Sequence, residues 1–317
     1  MGVSFEVEEK EERLTRNDPA ESPMSNSNRP QDTRHDILSV RPMEFFDIPR
    51  CVELNRCVGW NQLEKDWQRF ITLGPKGCFV AQLNGTVVGT VTTINYQNRF
   101  GWVGMVIVDP DLRRMGIGRR LLLLGIDTLI EMGVETVKLD ATPQGKLLYD
   151  TLGFVDEYGA ARWEGTASPM DTGKQAEPMR AQDMRDISAL DGPIFGADRT
   201  RLIALYLQEF PDRCYIARSG HEITGYLCGR AGGNAEHIGP WVARDRDIAE
   251  FLLKTRFAHC AGRRIFVDTL ERCPQSTEIL QSLGFQIQRP FIRMYKGPNR
   301  YPGQPEFVYA LSGPELG

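Results

Sequence analysis

Two segments of this chain repeat one another, and that repetition limits its architecture more than any other feature. Residues 78–89 set beside residues 214–225 without a gap, both opening on Cys and closing on Gly. Each reads as a strand, a turn holding Gly and a second strand, a hairpin signal that is strongest at Asn84-Gly85. Downstream, Leu148-Tyr149-Asp150-Thr151-Leu152-Gly153-Phe154 parallels Ile279-Leu280-Gln281-Ser282-Leu283-Gly284-Phe285 at a similar remove from its hairpin. Two copies of one fold are the simplest explanation. A length of 317 residues also exceeds the common size of one domain, so two cores are expected.

The segments around the copies set the boundaries. Residues 1–35 hold almost no large apolar side chains and cannot offset their ordering entropy by burial, which predicts a disordered leader. The stretch from Gly159 to Pro178 is rich in Gly, Ser, Thr, Pro and Ala and has the composition of a linker. The expected organisation is a leader at 1–35, a first domain at 36–160, a linker at 161–178 and a second domain at 179–317. In the first copy the patterning predicts strands at 37–40, 78–83, 86–94, 102–108 and 134–140. Helices are expected at 49–56, 63–71, 117–132 and 143–152. This is a mixed α+β fold, a mostly antiparallel twisted sheet around a strand-helix-strand unit, made twice.

That unit carries the chemistry. Both alternating sets of the strand Trp102–Val108 are apolar, Val103-Met105-Ile107 and Val106-Val108, so it should be central in the sheet. Asp109-Pro110 ends it, and Arg113-Arg114-Met115-Gly116-Ile117-Gly118-Arg119-Arg120 leads into a helix anchored by Leu122, Ile126 and Leu129. Gly116 and Gly118 put no side chain between a phosphate and the N–H groups of Met115 to Arg119. The first turn of a helix leaves such groups without partners, and arginines add charge. A pyrophosphate-bearing ligand is implied. The alternative is a tight connection with solvated arginines. A dinucleotide fingerprint is excluded, since its third glycine would fall at Leu121.

On these residues the chain resembles the GNAT superfamily of acetyl-CoA-dependent N-acetyltransferases. Residues 113–118 match its Arg/Gln-x-x-Gly-x-Gly/Ala motif after the strand that motif follows, and 148–154 match a second element. The two halves together resemble tandem GNAT proteins whose second copy has lost the cofactor motif, with Val58-Gly59-Trp60-Asn61 and Phe195-Gly196-Ala197-Asp198-Arg199 as further points of likeness. The resemblance implies acetyl-CoA as acetyl donor. It places the cofactor arm and thioester carbonyl on the strand backbone at Met105 to Val108, Val106 and Val108 included, and the pyrophosphate on the amides of 115–118. It also makes Tyr149 the donor to the coenzyme A sulfur. The alternative for Tyr149 is a helix tyrosine packing near Phe154. Where the family has Asn and Ala at the start of this helix, the chain has Thr142 and Gly145; Thr142 can cap the helix with Pro143 in its first turn.

The proton acceptor is less plain. Strand 102–108 contains no Glu, Asp or His, and Asp109 shapes a turn. Asp140, ending the next strand, is a candidate to orient a cationic amine or relay a proton through water, a cap onto Thr142 or Gln144 being the alternative. Trp60, Asn61 and Tyr96 lie in connections expected to border the acceptor cleft. Asp198, with Arg199, is either a buried pair facing that cleft or a surface or capping pair.

In the second half no glycine pair opens the corresponding helix. Asp245, Asp247 and Glu250 put negative charge there. Cofactor binding is therefore expected in the first half alone. A net charge of -4 argues against a nucleic-acid partner. Seven cysteines without a CxxC pair, and no signal or membrane-spanning pattern, point to reduced thiols, no metal and a cytoplasmic protein. The expected reaction is acetyl transfer from acetyl-CoA to the primary amine of a small molecule. The rivals are an acyl-CoA-binding sensory module without turnover and an acetyltransferase acting on protein amines.

Overall fold

The computed structural model describes Glu12–Arg13 and residues 37–168, 170 and 173–317. The first half runs β1 (Glu12–Arg13), β2 (Ile37–Pro42), α1 (Ile48–Cys57), α2 (Glu64–Leu73), β3 (Phe79–Leu83), β4 (Thr86–Tyr96), β5 (Phe100–Val108), α3 (Ile117–Glu131), β6 (Val137–Ala141), α4 (Pro143–Thr151) and β7 (Val155–Thr166). The second half repeats the series. It runs β8 (Glu177–Pro178), α5 (Met184–Phe195), α6 (Thr200–Glu209), β9 (Tyr215–Ser219), β10 (Glu222–Arg230), β11 (Glu236–Ala243), α7 (Arg246–Ala258), β12 (Arg264–Leu270), α8 (Pro274–Ser282) and β13 (Gln286–Lys296), with β14 (Val308–Ala310) following. Apart from Glu12–Arg13, which pairs with Ile37 and Leu38, the expected leader lies outside the described residues.

The two copies share one sheet, in the order β1-β2-β3-β4-β5-β6-β13-β7-β12-β11-β10-β9-β8. The last long strand of each half crosses into the other: β13 pairs with β6, and β7 pairs with β12. Pairing is antiparallel except at β5–β6 and β11–β12, the two strand-helix-strand units. The exchange corrects the reading of 161–178 as linker, because residues 155–166 form a strand with Arg162 and Trp163 buried. The small residues there reflect close packing rather than flexibility. A Cβ at Gly165 would lie 2.5 Å from the Phe285 ring.

Among the described residues three apolar clusters replace the two expected. One joins the halves, with Trp67 and Phe70 of α2, Ile187 of α5 and Tyr206 of α6 in one cluster with Phe100 and Trp102. The others lie beneath α3 in the first half and beneath α7 and α8 in the second. Under α3 the approach is close: a Cβ at Gly101 would sit 2.6 Å from Leu129. Burying a leucine such as this is worth about 1.5–3 kcal/mol and fixes where the helix start points.

Strand β5 departs from simple alternation. Met105 has φ 50, the register against β4 shifts between Thr90 and Thr92, and Thr90 Oγ1 donates to the Met105 carbonyl at 2.7 Å. This bulge sends Met105 and Ile107 into the shared core and Val103, Val106 and Val108 to the α3 side, regrouping the two sets read from the sequence. Among the described residues no helix is long and apolar enough to cross a membrane.

Candidate active site

Parallel pairing of β5 with β6 is limited to Gly101 with Val137 and Trp102 with Lys138. Beyond that point the strands part, and β5 from Val103 to Val108 lines a cavity of about 1030 Å³. A strand edge without a neighbour leaves N–H and C=O groups aimed into the gap, a template for an extended ligand with amides of its own.

At the end of β5 the chain turns toward α3. Arg50 fixes the turn by donating to Val87 O at 3.0 Å and to Asp109 Oδ2 at 2.9 Å, so Asp109 is structural as expected. Arg114 and Gly116 take φ values of 64 and 80, and Gly116 forms the N-cap of α3. The Arg120 N–H reaches Gly116 O, whereas those of Ile117, Gly118 and Arg119 belong to the first turn and have no intrahelical acceptor. No atom lies within 4 Å of a Cβ built on Gly116, and one on Gly118 would meet Val108 Cγ2 at 3.3 Å. Arg113, Arg114 and Arg119 are exposed at this mouth and form no ion pair among the described residues. Arg113, Arg114, Gly116, Ile117, Gly118 and Arg119 line the cavity, whereas Met115 packs its side chain against the first-half core.

The opposite wall starts at the end of β6. Thr142 Oγ1 accepts from Gly145 N at 3.2 Å and Pro143 occupies the first turn of α4, so the missing Asn is replaced by an ordinary cap. Tyr149 faces the cavity, with its ring 5.9 Å from that of Phe154 and no hydrogen bond to its hydroxyl among the described residues. Burial pushes its phenol up to about 12. The packing on Phe154 is thus observed, and Tyr149 lines the cavity as well. The ring leans over Gly145, where a Cβ would be 3.0 Å from Tyr149 Cε2. Glycine at 145 gives the ring its place.

Asp140 also reaches the cavity, but both carboxylate oxygens are taken by Arg293 of the exchanged strand β13, at 2.8 and 2.9 Å. Burial raises the acid above its usual range despite the guanidinium. To accept a proton it would give up a buried bidentate pair, and breaking such pairs costs roughly 3–5 kcal/mol.

Of the four residues expected on the acceptor side, Trp60 lines the cavity and three do not. Asn61 is buried, donating to Ala235 O and accepting from the N–H groups of Asn234 and Ala235, so it pins a loop of the second half. Tyr96 is buried in the shared core and donates to Leu316 O at 2.7 Å. Asp198 is exposed and accepts from Thr200 N at 2.7 Å just before α6, while Arg199 pairs with Asp191 instead. For Asn61 and Tyr96 contacts from distant segments consume the polar atoms, and for Asp198 the neighbouring Thr200 does.

Further cavity-lining residues went unread in the sequence: Gln62, Arg162, Arg289, Phe291 and Glu315. Glu315 arrives on the C-terminal tail, where a Cβ on Gly104 of β5 would meet its carbonyl oxygen at 2.6 Å. Glu315 Oε1 accepts from Arg230 at 3.0 Å, and Arg230 also approaches Asp66 at 3.4 Å. Arg162 is held bidentate by Asp268 at 2.7 Å, and His237 Nε2 lies 2.9 Å from the same carboxylate.

The equivalent place in the second half is filled. Asp245 Oδ1 accepts from Ile248 N at 2.9 Å and so closes the start of α7. Where β11 parts from β12, β14 enters, pairing Ala310 with Trp241 and Val308 with Val242, and Leu311 N donates to Asp268 O at 2.8 Å. Among the described residues no set of three His, Cys, Asp or Glu side chains is placed to hold a metal.

Residues 43–154 match the model described as "Acetyltransferase (GNAT) family", and residues 187–310 match "Acetyltransferase (GNAT) domain". A holothin acyltransferase from Pseudoalteromonas sp. (strain SANK 73390) is 23% identical over 81% of this chain and 87% of its own length. The uncharacterized N-acetyltransferase YitH of Bacillus subtilis (strain 168) is 29% identical over 68% of this chain and 76% of its own. The fold is shared with the crystal structure of a putative acetyltransferase from Pyrococcus horikoshii. That similarity has a TM-score of 0.74 at 22% identity and covers 94% of this chain and 100% of the other.

Proposed function

The chain belongs to the GNAT acetyltransferase family as a tandem of two such domains, and from that premise we propose that its first half moves an acetyl group from acetyl-CoA to the primary amine of a small molecule. The observation that carries this reading is the contrast between the halves. One splayed strand pair holds a strand of its own chain, β14, and the other opens onto a cavity with donors suited to a pyrophosphate at its mouth.

The residues present fit acetyl-CoA. The N–H groups of Ile117, Gly118 and Arg119 would hold the pyrophosphate with Arg113, Arg114 and Arg119 around it, and the free edge of β5 would take the amide-bearing arm, as β11 takes β14. The bound cosubstrate supplies a thioester whose carbonyl carbon an uncharged amine can attack. Backbone amides of β5 between Met105 and Val108 stabilise charge on that carbonyl oxygen. Tyr149, held neutral by its raised pKa, gives its proton to the departing sulfur.

For the amine's proton we assign Glu315 rather than Asp140. Glu315 engages one oxygen, and its Oε2 has no hydrogen-bond partner among the described residues. Protonating it leaves Arg230 still beside Asp66, whereas protonating Asp140 leaves Arg293 with a 3.4 Å contact to the Tyr158 hydroxyl. The test is coenzyme A release across a panel of amines with wild type, Tyr149→Phe and Gly116→Glu. Tight acyl-CoA binding without release on any amine would sink the transferase reading in favour of a sensory module.

A further inference from the structure

Among the described residues each buried guanidinium near the acceptor end of the cavity has a carboxylate supplied by the chain, and half-buried Arg289 has none. Arg162 has Asp268, Arg293 has Asp140, and Arg230 has Glu315 and Asp66. Arg289 lines the cavity and forms neither an ion pair nor a hydrogen bond among the described residues. Its Nε is buried without an acceptor, and its guanidinium lies 5.3 Å from the centre of the Phe291 ring, which holds the fork in place.

The position of Arg289 separates it from the pyrophosphate cradle. It sits on β13 opposite Arg162 of β7, in the part of the wall built by exchanged strands, while the cradle is built by β5 and α3. Of the neighbouring carboxylates, Asp268 is committed to Arg162 and His237, and Glu315 accepts from Arg230 through Oε1 and forms no ion pair with Arg289. Leaving a half-buried cation unpaired is costly, and the guanidinium is pushed down to about 10 by burial and by Arg162 beside it, though it remains charged at neutral pH. A planar fork of this kind is matched by the two oxygens of a carboxylate or phosphate.

We propose that Arg289 is the recognition site for an oxyanion on the acceptor, so that the substrate is an amine carrying a carboxylate or phosphate group. This rests on the proposed acyl transfer. Bound this way, the anionic end lies against Arg289 and Phe291, and the amine points toward Glu315 and the thioester. The fork sets the substrate class, and Glu315 takes the proton.

The test compares ω-amino carboxylates, aminoalkyl phosphates and the matched ω-amino carboxamides as acceptors for wild type and Arg289→Gln. Wild type should favour the anionic amines over the carboxamides by about ten- to hundred-fold in kcat/KM, and the variant should lose that preference through KM while keeping its affinity for coenzyme A. The carboxylate and phosphate arms identify which oxyanion is read. Titration with the corresponding N-acetyl products needs no turnover, so it separates a failure of recognition from a failure of transfer. Equal use of anionic and neutral amines by wild type overturns the proposal. So does an undiminished preference in Arg289→Gln, product binding that ignores the anionic group, or a loss of coenzyme A affinity in the variant.

Discussion

Trp241 of β11 pairs with Ala310 of β14, so the chain's own C-terminal strand occupies in the second half the gap that the first half leaves open beside Val103 to Val108. The same tail then runs on to place Glu315 against Gly104. One segment therefore blocks one cleft and completes the other.

Glu315→Gln should lower kcat by about 10²-fold or more, the range general-base removal produces, while leaving affinity for coenzyme A within a factor of two of wild type, that is about 0.4 kcal/mol. Steady-state kinetics beside direct cofactor titration checks this. Asp140→Asn should behave differently, costing roughly 3–5 kcal/mol of stability by orphaning Arg293, which urea denaturation measures.

Tyr149→Phe keeps the packing on Phe154 and removes the donor, so kcat should fall by about 10²-fold with unchanged thermal stability. Because the phenol is pushed up to about 12, the wild-type kcat should show no decline attributable to Tyr149 near the ordinary tyrosine pKa of about 10. The pH dependence of kcat in the alkaline range is the measurement.

Gly145→Ala places a methyl 3.0 Å from the Tyr149 ring and 3.3 Å from Thr142 Oγ1. The ring must move, so kcat should drop roughly ten-fold, about 1.4 kcal/mol of barrier, with coenzyme A affinity intact. A crystal structure of the variant would show the displaced tyrosine.

Asp268 is buried, yet Arg162 and His237 hold its carboxyl well below the usual carboxylate range. The unfolded chain binds this proton more readily, so the stability it contributes is complete above the unfolded pKa of about 3.9 and is lost as pH falls below it. The urea midpoint of wild type should fall over that acid range. Asp268→Asn, already destabilised, should show a shallower fall.

The parts of the site legible in the sequence are those that one contiguous segment builds. The strand end, the αL glycine, the first turn of α3 and the Thr142 cap all follow from local geometry and spacing, and Tyr149 was singled out by the family resemblance. Arg289, Arg162 and Glu315 were not legible, because they reach the cleft through exchanged strands and a returning tail, which leave no local pattern. The same distance in sequence explains Asn61 and Tyr96, whose polar groups are satisfied by residues 234–235 and 316. The run at 159–166 read as linker because its Gly and Ala residues leave room for partners such as Phe285, which only the assembled sheet brings near.

The most direct test of the account is a calorimetric titration of the whole chain with acetyl-CoA, repeated with Gly116→Glu. The account predicts one site per chain in wild type and none in a variant whose circular dichroism is unchanged. Two sites per chain, or binding that survives Gly116→Glu, would contradict the assignment of the cofactor to the first-half cleft.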